Sequence, residues 1–387
     1  MLKPSIPLSL CLCAALVVPG MPPLPVDDRV QSTIAFASTR DDPSGEIYLM
    51  NMEAGTEFTA VRRLTANTDP AAAGIFTRAG EWLPSISPDG KKIAFDSTEL
   101  SGRVHISDLF VMDADGGGRT WVIRGSSATW SPDSKYVAFH ASASGTGRPI
   151  KTDPGAATID SDIFIINLDD VLAVEDPLAR PAWRMNLTNN STAVDDDPDW
   201  SPDGLRIAFT SHAVTDNHLN SVTAEIYVRN ADGSGDPNRL TFNGYEERGP
   251  AWSNDGTRIA FMCRIVGLDG ALDFEICVMN ADGSDLRQLT DNTMFEGTPA
   301  WSPDDTKIAF SRTLSPGRQQ LFWMNADGTG EEQLTNAAGT SFMANWGKLV
   351  LHGRGDRPAS IDLWLTATAA AAADIRSSRR DGRAHRR

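Results

Sequence analysis

Cysteine is scarce. Four occur in 387 residues, and Cys11 and Cys13 fall in an apolar N-terminal run, which leaves Cys263 and Cys277 for one bridge at most. Positive charge is also short: 35 Lys and Arg face 51 Asp and Glu, a formal net charge of −16. Arg376, Arg379, Arg380, Arg383, Arg386 and Arg387 cluster in 374–387; without that stretch, its two aspartates and Lys3, 28 basic residues face 49 acidic ones. Such a body repels nucleic-acid phosphates, so no nucleic-acid partner is expected. It suits a cation or a basic partner surface. Beyond residue 18 no apolar run approaches the length of a membrane-spanning helix. No Gly-x-Ser-x-Gly pentapeptide occurs, so the nucleophile elbow of an α/β-hydrolase is missing. Asp113-x-Asp115-Gly116 begins like a calcium loop but lacks the later acidic ligand, and the same tetrad recurs elsewhere as a turn.

Glycine (32) and proline (23) are plentiful, as many turns between short strands require. Lys3 precedes a mostly apolar stretch, 6–18, followed by Pro19, Gly20, Pro22, Pro23 and Pro25. That is the pattern of an export signal over 1–20 with a linker over 21–32. An alanine run from Ala367 followed by scattered arginines is read as a disordered tail, 367–387. Export would put Cys263 and Cys277 in an oxidising compartment. There they either form a cross-strand disulfide or stay as two buried thiols.

What fills 33–366 is one repeated unit. Ile86-Ser87-Pro88-Asp89-Gly90 recurs as Trp130-Ser131-Pro132-Asp133-Ser134, Trp200-Ser201-Pro202-Asp203-Gly204, Trp252-Ser253-Asn254-Asp255-Gly256 and Trp301-Ser302-Pro303-Asp304-Asp305. A truncated copy stands at Asn345-Trp346-Gly347-Lys348. A β-type run follows each full copy (Ile93 to Phe95, Val137 to Phe139, Ile207 to Phe209, Ile259 to Phe261, Ile308 to Phe310). A second run comes next and ends in a turn such as Asn280-Ala281-Asp282-Gly283. A third ends in Leu-Thr, as in Arg239-Leu240-Thr241. This describes four antiparallel strands, A to D, with A ending at the Trp. Pro and Asp-Gly preset the A–B turn and Asn/Asp-x-Asp-Gly the C–D turn. A lone four-stranded sheet cannot hide both faces, whereas sheets set radially in a closed ring can. The expected fold is therefore all-β, a β-propeller.

Residues 34–36 open a B–C–D set with no A strand before it, and 342–346 supply an A strand at the other end. Joining the two closes a ring of six blades. Leu349-Val350-Leu351 and Ile361-Asp362-Leu363-Trp364 resemble a further B and C pair, which would be an appended hairpin or the core of a seventh blade.

The Trp-Ser-Pro-Asp-Gly, Ile-Ala-Phe, Met-Asn-Ala-Asp-Gly and Leu-Thr elements, in fixed order from Ile34 to Trp346, resemble the PD-type propeller repeats of the TolB-like family, relatives of WD repeats. The resemblance implies a bacterial periplasmic or secreted propeller that serves as a protein-binding platform. Fewer than twenty residues separate the export signal from Ile34, so the α/β domain that precedes the propeller of TolB is not expected. Similar repeats form the propeller of prolyl-peptidase-type enzymes, whose hydrolase domain is likewise not expected.

Long B–C connections (140–160 and 210–224) collect on one face, the pattern of a binding face, while 169–184 lengthens a C–D connection instead. On that same face the D–A loops are acidic: Asp195, Asp196 and Asp197, then Glu246 and Glu247 beside Arg248, then Glu296. These residues are expected to form a negative channel mouth that receives a basic protein or peptide segment, with the chain acting as a monomer and without catalytic residues or a cofactor. The alternative is a metal-dependent enzyme on envelope or extracellular polysaccharide. His140, His212 and His352 each follow a B strand and could converge on a metal, as in the oligogalacturonate lyase group that this plan also resembles. An acidic mouth would, however, repel an acidic sugar.

Overall fold

The computed structural model describes residues 29–52, 58–66, 80–97, 107–141, 161–174, 185–189, 193–213, 224–266 and 272–351. The expected signal (1–20), tail (367–387), His352, 361–364 and most of the three long connections lie outside the described residues.

The first three strands, β1 (Arg29–Ser38), β2 (Glu46–Met52) and β3 (Phe58–Arg63), make an incomplete sheet. Blade 2 is β4 (Glu81–Ile86), β5 (Lys92–Ser97), β6 (Asp108–Asp113) and β7 (Thr120–Arg124). Blade 3 is β8 (Ser126–Trp130), β9 (Tyr136–Ala141), β10 (Asp162–Asn167) and β11 (Met185–Asn186). Blade 4 is β12 (Ala193–Trp200), β13 (Arg206–Ala213), β14 (Ala224–Asn230) and β15 (Asn238–Arg239). Blade 5 is β16 (Glu247–Trp252), β17 (Arg258–Val266), β18 (Leu272–Asn280) and β19 (Arg287–Gln288). Blade 6 is β20 (Glu296–Trp301), β21 (Lys307–Ser315), β22 (Arg318–Asn325) and β23 (Glu332–Gln333). The last strand, β24 (Ser341–Leu351), then pairs with β1 and completes blade 1. The chain is a six-bladed β-propeller closed by strands from both of its ends. The described residues contain one short helix, α1 (Leu168–Leu172), between β10 and β11.

Two expectations change. β1 starts at Arg29, inside the stretch read as a linker. Leu349, Val350 and Leu351 do not open a further blade: they continue β24 and pair with Gln31, Val30 and Arg29. The truncated copy lacks the Pro-Asp-Gly that turns the chain in other blades, so the strand runs straight on.

The A–B turn explains its own sequence. In blade 2 the Ser87 hydroxyl donates to Asp89 (2.7 Å) and accepts from Lys92 N (2.9 Å), while Asp89 accepts from Lys91 N. The same Ser–Asp bond forms at Ser131, Ser201, Ser253 and Ser302. These aspartates are consumed by the turn and hold their charge readily: the Ser131 hydroxyl, before any other cause, pulls the Asp133 carboxyl below its ordinary range.

The core is divided among the blade interfaces. Ile86, Ile93 and Phe95 of blade 2 pack on Ala35, Ile47 and Leu49 of blade 1. Between blades 4 and 5, Trp252, Ile259 and Phe261 meet Ile226, Val228 and Leu240. The ring closes where Trp323 and Leu321 of blade 6 meet Phe36, Tyr48 and Trp346. Within each blade the Phe of strand B faces a set position on strand C. That position is aromatic in five blades, giving the stacked pairs Phe36–Tyr48, Phe95–Phe110, Phe139–Phe164, Phe209–Tyr227 and Phe310–Phe322. In blade 5 the residue opposite Phe261 is Cys277, and it is bridged to Cys263 across β17 and β18 (Cα–Cα 5.8 Å). A disulfide thus stands where the other blades stack a ring, which resolves the cysteine alternative. Replacing both cysteines by Ala should cost about 3 kcal/mol, the value for so short a loop. Urea denaturation would read this as a lower midpoint, matched by wild type in reductant; an unchanged midpoint would show the bridge to be idle.

Candidate functional site at the channel

The innermost strand of every blade carries one extra residue against its partner, a β-bulge. At the bulge, three residues before the Trp position, the backbone is left-handed in all six: Leu83 (φ 50°), Ser127 (55°), Asp197 (49°), Gly249 (58°), Thr298 (49°) and Met343 (56°). Gly249 adopts this without a Cβ penalty, whereas branched Thr298 holds it against preference. The next residue is proline in four blades, Pro84, Pro198, Pro250 and Pro299. Proline has no N–H to leave unpaired, so a bulge tolerates it. Together these positions wall a central cavity of about 470 Å³.

The wall is not uniform. Blades 3 and 4 contribute Ser127, Thr129, Asp197 and Asp199, while Met343 stands on blade 1, across the ring from Asp197. Asp199 ties the ring together. It accepts from the Thr129 hydroxyl of blade 3 (3.0 Å) and from Trp252 N of blade 5 (2.6 Å). Asn345 does the same for Ile86 N between blades 1 and 2 (2.9 Å). The indoles of Trp130 and Trp301 donate back to the carbonyls of Ser85 and Ala251 in the preceding blade. Burial pushes the Asp199 carboxyl up to about 6 against these hydrogen bonds.

At the end where the A strands begin, a chain of polar groups crosses blades 2 to 4. The Ser127 hydroxyl donates to Asp197 (3.0 Å), whose backbone N–H points at His140 Nδ1 (3.4 Å). Asp196 lies 3.3 Å from His212 Nε2. Burial raises the Asp197 carboxyl first, and the Asp196 charge adds to it, while His140 and Arg248 oppose. Behind Ser127, Asp96 is sealed from solvent and accepts from the Ser126 hydroxyl. Burial, then the charges of Asp197 and Asp108, push Asp96 up to about 8, against hydrogen bonds from Ser126 and Ser127. At neutral pH Asp96 is therefore largely a neutral acid.

The structure sorts the six acids expected at the mouth into two groups. Asp197 lines the cavity, Asp196 faces His212, and Glu246, buried just ahead of β16, is clamped by Arg264 and by Arg248, the seventh expected residue. Asp195, Glu247 and Glu296 are buried on strands β12, β16 and β20 rather than in open loops. Asp195 accepts from the Ser211 hydroxyl (2.5 Å), and Glu296 takes Arg312 and the Asn292 amide (2.8 Å). The expected loop acids are strand acids because the A strands of blades 4, 5 and 6 begin five to seven residues before the Trp, with the proline absorbed at the bulge. His140 and His212 approach the same strand but meet different groups, the Asp197 backbone N–H and the Asp196 carboxylate. Among the described residues no cluster of three or more His, Cys, Asp or Glu is arranged to hold a metal. Asp96, Ser126, Ser127 and Asp199 were not singled out from sequence; the x-Pro-x-Trp spacing around Asp197-Pro198-Asp199-Trp200 was the available signal.

Residues 158–350 match the family model PD40, the TolB beta propeller domain. The repeats in that span are of the TolB-type propeller family. No curated protein matches the chain at a significant level. Among solved structures, TolB from Acinetobacter baumannii is similar (21% identity, TM-score 0.60, 82% of this chain and 66% of that one). So is a putative TolB from Agrobacterium tumefaciens (20%, TM-score 0.51, 84% and 100%). Hydrazine synthase of Kuenenia stuttgartiensis shares the fold too (16%, TM-score 0.58, 84% and 48%). This chain spans just under two thirds of the Acinetobacter protein's length, and these likenesses show the fold alone.

Asp199→Ala leaves Trp252 N and the Thr129 hydroxyl without their acceptor, which should cost about 1–3 kcal/mol. Asp199→Asn keeps an acceptor and should cost less. Equal thermal midpoints for the two variants and wild type would remove Asp199 from the inter-blade bonding.

Proposed function

We propose that this chain is a non-enzymatic binding platform whose central channel receives a basic segment of a protein or peptide. The observation that carries this reading is the one-sided cavity wall: its carboxylates, Asp197 and Asp199, both stand on blade 4. The rest of the lining is apolar side chains such as Pro, Ala, Leu, Met and Trp and neutral polar ones, with Lys348 on blade 1 the one cation among the described residues that line it. A carboxylate raised by burial is one that a cation would stabilise on entry, since an opposite charge nearby favours the ionised form. The residues at the bulge differ from blade to blade while the turns repeat, as expected of a recognition surface on a constant scaffold. We further propose that the chain works in the periplasm or outside the cell. The Cys263–Cys277 bridge supports an oxidising compartment.

Charge reversal at Glu247 or Glu296 is a poor test, because both are buried. The informative variant is Asp196→Asn with Asp197→Asn. Titration calorimetry with a Lys-Gly repeat peptide, at low and moderate salt, should show binding to wild type that weakens with salt. The double variant should bind about tenfold or more weakly, the scale of losing close charge pairs. Equal affinity, with unchanged circular dichroism, would remove these aspartates from recognition.

A further inference from the structure

Strand C opens with a buried acid in five of the six blades: Glu46, Asp108, Asp162, Glu225 and Glu275, with Gln320 in the sixth. The strand A position five before the Trp of the following blade is acidic in four: Glu81, Asp195, Glu247 and Glu296. The two positions meet at the blade interfaces. Between blades 4 and 5, where β14 packs on β16, Glu225 (2% exposed) and Glu247 (0%) lie within hydrogen-bonding reach of one another. Glu225 is already served as a carboxylate: Arg239 takes one oxygen, and the Thr241 hydroxyl donates to the other (2.7 Å). Neither oxygen of Glu247 accepts a hydrogen bond at normal geometry. Two anions in this position, one of them with only the Asn243 and Thr241 side chains nearby to oppose its burial, would be costly.

We infer that this interface is held by a shared proton: Glu247 is a carboxylic acid that donates to the carboxylate of Glu225, and alkaline conditions loosen blade 4 from blade 5. The groups facing Glu247 fit this. Glu225 and Arg239 neutralise each other, and the side chains of Thr241 and Asn243 lie near, the Asn243 oxygen accepting from Tyr245 N (2.9 Å). On β17 the opposite residue is the bridged Cys263, and Arg264 is held by Glu246 together with Arg248. Among the described residues no cation forms an ion pair with Glu247. Burial, then the Glu225 charge and the bond to it, raise Glu247 to about 8. A second copy occurs between blades 5 and 6, where burial and then Glu296 raise Glu275 to about 7. Between blades 6 and 1 the same two positions are Gln320 and Ser341, both buried and neutral, so the fold accepts an uncharged donor there.

A group raised in the folded state contributes stability that is fully present below its ordinary value and is lost as pH rises to the folded value. The window is about pH 4.5 to 8. Glu247→Gln keeps a donor to Glu225 and has no proton to lose. From urea denaturation of the full chain between pH 5 and 9, the ratio of wild-type to E247Q unfolding constants should rise by up to about tenfold per pH unit inside this window. Parallel curves would overturn the shared proton. Should E247Q fail to fold, infrared spectra of Asp96→Asn, which removes the other carboxyl raised to about 8, decide: the carbonyl stretch of a protonated buried carboxyl should be present at pH 6, persist above the Glu275 value of about 7, and bleach towards pH 9. Its absence at pH 6 overturns the proposal.

Discussion

The pairing of β24 with β1 is the constraint on which the rest of this molecule depends. Each blade has two apolar faces, and each interface core takes side chains from two neighbours. An open row of blades would leave one face bare at each end. Closure through Ile34 opposite Trp346 turns the row into a ring and removes both bare faces at once. Of the stitches around the axis, Asn345 to Ile86 N has its partner only because the ring is closed, whereas Asp199 to Trp252 N joins consecutive blades.

Closure also shapes the channel. Six inner strands converge on one axis, and each relieves the crowding with a bulge that bends the strand and re-aims one side chain. The backbone at that residue is the same in every blade, yet the side chains are Leu, Ser, Asp, Gly, Thr and Met. Nothing in the blade core dictates what stands there. The repeat therefore holds the shape of the channel constant and leaves its chemistry free.

The repeat, the blade count and the join between the two ends were legible because they rest on local signals: a Pro-Asp-Gly turn, a Trp, a Leu-Thr. What misled were residues whose meaning is set by distant partners. Glu296 looks like a loop acid beside Asn292, but its partner Arg312 comes from the next strand of its blade. Glu247 is buried against Glu225 of the neighbouring blade. Leu349 to Leu351 alternate like any strand, and alternation alone does not say which blade a strand joins. Cys277 was open to a sharper reading, because aligning the blades puts it where five others carry an aromatic ring.

The formal charge of −16 overstates the field at the channel. It treats Asp96 and Glu247 as anions, although burial raises both to about 8. The Ser-Pro-Asp aspartates spend their charge on turn N–H groups at the far end of the A strands. What remains beside the channel is Asp196 and Asp197, with Arg248 and His140 opposing the rise of Asp197. Strand β16 shows how adjacent residues divide the work. Side chains alternate along it, so Glu247 turns into the interface with blade 4, while Arg248 turns towards Glu246 and the field of Asp197. One strand thus serves both the blade interface and the charge at the mouth. The group whose proton holds the interface stands one residue from Arg248, whose charge bears on Asp197.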